Sequence, residues 1–66
     1  MIAYEVKDMS CAHCVNSITK AVAGVDPGAT VRIDLAAHRV EIDAASADSQ
    51  RLRAAIEEAG YTPVPA

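Results

Sequence analysis

The sequence predicts an α+β sandwich of element order β-α-β-β-α-β, a four-stranded antiparallel sheet with two helices on one face. Three observations predict it. Short stretches alternate apolar and polar residues, two longer stretches repeat apolar residues at helical spacing, and Gly, Pro and Asp punctuate the joins.

Residues 2–7 alternate strictly, with Ile2, Tyr4 and Val6 on one face and Ala3, Glu5 and Lys7 on the other, as a half-buried strand requires. Val15, Ile18, Ala21 and Val22 then recur at helical spacing, predicting a helix over about 12–23, with Ser10 as its N-cap and Gly24 as its stop. Asp26-Pro27-Gly28 predicts a turn in which proline presets φ and glycine takes the positive φ. Val31, Ile33 and Leu35 alternate with Arg32 and Asp34; Val40 and Ile42 alternate with Arg39, Glu41 and Asp43. The short Ala36-Ala37-His38 link makes these two strands an antiparallel hairpin. The second helix is expected to be capped by Ser46, to carry Asp48 in its first turn and to bury Leu52, Ala55, Ile56 and Ala59 before ending at Gly60. Prolines 63 and 65 confine any strand in the tail to a sheet edge. Two helices and four strands, each with one buried side, fit the split βαβ arrangement known as ferredoxin-like.

With 66 residues the chain is expected to be one domain over 1–66. A chain this short buries only about 60% of the surface its unfolded form exposes. Its core draws on Val, Ile and Leu, helped by Met1, Met9, Tyr4 and Tyr61, in the absence of Trp and Phe. Walls for a deep organic-substrate pocket are scarce, so surface chemistry is the expectation. Six basic against nine acidic residues, without a basic stripe, argue against nucleic-acid binding. No apolar run reaches the ~18 residues of a membrane span, and no basic start leads into an apolar export segment. The expected location is therefore the cytoplasm, where two cysteines point to metal or redox chemistry rather than to a structural disulfide.

The informative segment is Met9-Ser10-Cys11-Ala12-His13-Cys14, where the first strand meets the first helix. One sulfur on the loop and one in the first helical turn can converge on a single ion, and the positive end of the helix favours thiolate. Thiolates select Cu(I), zinc and iron–sulfur clusters. Structural zinc and iron–sulfur sites want four ligands, and this chain has two cysteines, a number that suits Cu(I). His13 is a candidate third ligand; a solvated loop histidine is the simpler reading. His38 reads as a turn residue, and the sequence leaves open whether its hairpin lies at the metal end. Met9 reads as core, with a thioether ligand as the alternative. An isolated C-x-x-C is moderately specific; at a strand–helix junction of a short βαββαβ chain it is strong.

These residues carry a resemblance. Met-Ser-Cys-Ala-His-Cys at 9–14, the V-x-I-D-L and V-E-I strands, and Ala-Gly-Tyr-Thr-Pro at 59–63 resemble the heavy-metal-associated domain family, in particular its free-standing bacterial copper chaperones. The likeness runs from Ile2 to about Pro65. It implies Cu(I) held by Cys11 and Cys14 and passed by ligand exchange to the cysteine pair of a copper-transporting P-type ATPase. It also implies that Met9 packs beneath the metal loop and that Tyr61 lies beside it. His13 departs from the small or polar residue commoner at its position. A two-ligand ion can also recruit sulfur from a second copy, so a metal-bridged homodimer belongs to the same reading.

Three rivals stand beside it. A thiol–disulfide oxidoreductase also places C-x-x-C at a helix start, and Thr62-Pro63 mimics its proline loop, but the central antiparallel hairpin fits it poorly. The same fold could carry zinc, cadmium or mercury; zinc-specific relatives place an acidic residue beside the cysteines, whereas Asp8 stands three positions before Cys11. The chain could also be an excised amino-terminal domain of a transport ATPase, although Met1 directly before the first strand favours a complete small protein. A hydrolase has no support in the sequence, so a non-enzymatic carrier is the expectation.

Overall fold

Strand β1 (Ile2–Glu5) lies inside a four-stranded sheet whose order is β2-β3-β1-β4, with β2 (Thr30–Asp34), β3 (Arg39–Asp43) and β4 (Val64–Pro65) all antiparallel to their neighbours. The computed structural model describes residues 2–66; Met1, assigned to the core from sequence, lies outside the described residues. Register follows the apolar alternation. Ile2 faces Ile42 and Tyr4 faces Val40, while Val31 and Ile33 face the same two residues from β2. A slip of one residue would turn this whole face to solvent, so burial fixes the pairing. Helices α1 (Ala12–Val25) and α2 (Ser49–Glu58) cover that face. Ile18, Val22, Leu52 and Ile56 meet Val6, Met9, Val40 and Ile42 there, all fully buried.

This is the expected ferredoxin-like α+β sandwich, with local departures that have physical causes. Strand β1 stops two residues early because the Val6 carbonyl accepts the Met9 N–H at 3.2 Å, closing a turn. Cys11, not Ser10, is the N-cap of α1, and it makes no side-chain capping bond. Gly24 does not stop that helix, which runs on to Val25 because Val25 packs against the core. Asp48 rather than Ser46 caps α2, its side chain accepting the Arg51 N–H at 2.8 Å. Ala59 lies beyond the last turn of α2 and is exposed. Gly60 does end α2, at φ 99°. Its N–H reaches the Glu57 carbonyl and the next N–H, that of Tyr61, reaches Ile56, which is the paired Schellman closure. The two-residue β4 is an edge strand, as its prolines require.

The turn at 26–28 works differently from expectation. Gly28 does not adopt a positive φ. Its missing side chain is needed for space instead, since a Cβ there would stand 2.9 Å from the Ala45 Cβ. The approach is close because Asp26, only 1% exposed, accepts the backbone N–H groups of Ala45, Ser46 and Ala47 at 2.8, 2.8 and 3.0 Å. These amides, with that of Ser46 foremost, hold the Asp26 carboxyl below its ordinary pKa against the opposing effect of burial. One carboxylate thereby joins the end of α1 to the segment entering α2. Among the described residues no helix is long and apolar enough to cross a membrane.

Candidate metal centre

Four segments converge at one end of the sandwich. They are the loop after β1, the first turn of α1, the β2–β3 turn and the residues that follow α2. The Cys11 and Cys14 sulfurs stand 3.5 Å apart, both as free thiols. That separation is far beyond a disulfide bond of about 2.05 Å. The two cysteines differ in setting. Cys11 is exposed, whereas Cys14 is 9% exposed and heads the buried stripe Cys14, Ile18, Val22 of α1. Helical periodicity turns Cys14 inward, because it lies four residues before Ile18.

The Cys14 thiol is lowered from 9.0 to about 6. The largest cause is the backbone N–H of Ser10, followed by the Tyr61 hydroxyl and the Cys11 side chain; burial opposes them. The first turn of α1 carries no acidic residue to compete for its positive end. In return, the Tyr61 hydroxyl is raised, first by its hydrogen bond to Cys14. Tyr61 reaches this position because the Gly60 closure reverses the chain just before it.

Met9 is fully buried beneath the loop, within the core cluster. His13 is exposed, and among the described residues no third His, Cys, Asp or Glu joins the two sulfurs in a cluster fit for a metal ion. Two further residues brace the loop without having been singled out for it. Asp8 Oδ1 accepts the Thr62 N–H at 3.2 Å, tying the loop to the segment after Tyr61. The His38 Nδ1 lies 2.9 Å from the Met9 carbonyl. The β2–β3 turn is therefore at the end of the sheet that carries Cys11 and Cys14. Its positive φ of 53° at His38 was invisible to a reading that looked for glycine at such positions.

A ferredoxin-like sandwich presenting two reduced thiols at the start of its first helix defines a class of small metal-handling domains. The chain belongs to the heavy-metal-associated domain family, which it matches over residues 3–62. It is 34% identical over 59 residues to the copper chaperone CopZ of Bacillus subtilis, covering 86% of each chain. A solved structure of the copper chaperone Atx1 from Synechocystis PCC6803 (a His61Tyr mutant, in a trimeric form) superposes with a TM-score of 0.89 at 38% identity. That match covers 96% of this chain and 98% of the other. A gold binding protein superposes at 0.92 with 29% identity and full coverage of both chains. Copper-transporting ATPase 1 of Rhizobium meliloti is 34% identical over 61 residues, 91% of this chain, which spans only 7% of that relative.

Proposed function

We propose that the chain acts as one domain over 1–66, a cytoplasmic copper chaperone that binds one Cu(I) between Cys11 and Cys14 and delivers it to a P-type ATPase. It works as a carrier, without catalysis. The observation that carries this reading is the asymmetric thiol pair: two reduced sulfurs 3.5 Å apart, one buried and lowered to about 6, the other exposed. Thiolate is the form that binds soft metal, and Cys14 supplies it at neutral pH. With metal–thiolate bonds of about 2.3 Å, a linear two-sulfur site needs a sulfur separation of about 4.6 Å. The pair must open by roughly 1 Å. Cys11, on the exposed N-cap, is the sulfur that moves; Cys14 is fixed by the packing of α1.

Exchange follows from the same asymmetry. A partner thiolate adds to the ion from the exposed side and forms a three-coordinate bridge. Cys11 leaves first, and a second partner sulfur then displaces Cys14. Free ion never appears, and relative affinity sets the direction. Similarity to copper chaperones and to one part of a copper-transporting ATPase supports both the cargo and the partner. The oxidoreductase reading loses ground on the same geometry, because attack on an external disulfide calls for a lowered thiol that is exposed, and here the lowered thiol is the less exposed of the two.

The test is an anaerobic Cu(I) titration of the reduced protein against a chromogenic Cu(I) chelator, with a matching zinc titration and sizing of the loaded form. One tightly held copper per chain, with zinc much weaker, is expected. Cys11→Ser and Cys14→Ser should each abolish tight binding, while His13→Ala should keep the stoichiometry and alter affinity or metal-bridged dimerisation. Retention of tight copper by either serine variant would overturn the two-thiolate site.

A further inference from the structure

His38 adopts φ 53°, a left-handed conformation that a non-glycine residue takes uncommonly and that points to a constraint from its surroundings. The conformation lets one residue grip the metal loop twice. Its carbonyl accepts the Val6 N–H at 2.8 Å, at the start of the turn that Val6 and Met9 close. Its ring Nδ1 lies 2.9 Å from the Met9 carbonyl, at the far side of that turn. A carbonyl oxygen can only accept, so it is Nδ1 that carries a proton in this contact.

The Met9 carbonyl belongs to the same peptide plane as the Ser10 N–H. In a trans peptide the two groups point in opposite directions, so fixing one aims the other. The Ser10 backbone N–H is also the first of the groups that lower the Cys14 thiol. The ring therefore fixes the peptide that carries this amide, one residue before Cys11. We propose that His38 is a positioning residue for the metal site, its Nδ1–H locking the Met9–Ser10 peptide plane so that the Ser10 amide stays aimed at Cys14. This inference rests on the proposed Cys11–Cys14 site for its consequence, and on the turn geometry alone for its mechanism.

Isosteric variants separate the ring's hydrogen bond from its backbone conformation. Asparagine and aspartate both tolerate positive φ and both place a polar atom where Nδ1 stands, but only asparagine can donate. The experiment records nitrogen-15 spectra of the histidine rings and hydrogen exchange of the Ser10 amide in the metal-free protein. It then follows Cu(I) release to a chelator for wild type, His38→Asn, His38→Asp and His38→Gly. The Nδ1–H tautomer is expected for His38 in wild type. His38→Asp and His38→Gly should exchange the Ser10 amide faster and release copper about two- to tenfold faster, the range one neutral hydrogen bond supports. His38→Asn should restore both. An Nε2–H tautomer, or Ser10 exchange unchanged in His38→Asp and His38→Gly, would overturn the proposal. The metal-free readouts decide it even if the wild-type protein releases Cu(I) at once, an outcome that would count against the copper reading instead.

Discussion

Shifting the pH across the neutral range should titrate one thiol of this protein well before an ordinary cysteine loses its proton. Cys14 is lowered from 9.0 to about 6, first by the Ser10 amide and then by Tyr61 and Cys11. At pH 7 a thiol of pKa 6 is about nine-tenths thiolate, against about 1% for one at 9.0, a difference of roughly ninety-fold. The sign for stability follows from linkage. Between about 6 and 9.0 the unfolded chain binds a proton at this sulfur that the native chain does not, so native stability rises with pH across that window. It is lost as the pH falls through about 6. The assay is ultraviolet thiolate absorbance of the reduced, metal-free protein from acid to alkaline pH, repeated on Cys14→Ser and on Tyr61→Phe. The wild type should show a step near 6 that Cys14→Ser lacks, and Tyr61→Phe should move it upward. A wild-type curve with no step below the ordinary thiol range would refute the reasoning, because the donors facing Cys14 would then not be acting on it.

Two further predictions concern the frame. Asp26→Asn should lower thermal stability at neutral pH, since a neutral amide accepts the Ala45, Ser46 and Ala47 amides less well than a carboxylate. Because the carboxyl is lowered, its contribution is present above the usual carboxylate range and is lost on acidification. Melting curves of variant and wild type should therefore converge at acid pH, and a gap that persists there would contradict this account. Gly28→Ala should destabilise by about 1–3 kcal/mol through overpacking against Ala45. Gly28→Ala with Ala45→Gly should recover most of that loss, as judged by denaturant midpoints, and absence of recovery would show that the 2.9 Å approach is not the cause.

Alternation and helical spacing carried much of the architecture because burial on one face leaves a periodic record in the chain. Tyr4, Val40 and Ile42 in the sheet, and Ile18, Val22, Leu52 and Ile56 in the helices, are all legible in this way. The caps were less legible. Ser10, Cys11, Ser46 and Asp48 all stand near helix starts, and which one caps depends on where the incoming chain is pinned. The Val6–Met9 turn pins the approach to the first helix, and Asp26 holds Ser46 away from the second.

The sequence by itself determined the βαββαβ order, the apolar faces and the presence of two thiols at a strand–helix junction, since all of these follow from local spacing. Tertiary structure alone decided that Cys14 is buried while Cys11 is exposed, that Tyr61 faces the pair, and that His38 reaches the Met9 carbonyl across 29 positions of sequence. These contacts join segments far apart in the chain. Hydrogen bonds depend on distance and direction in space, and residue spacing along a chain does not encode either until the sheet and helices have closed on one another.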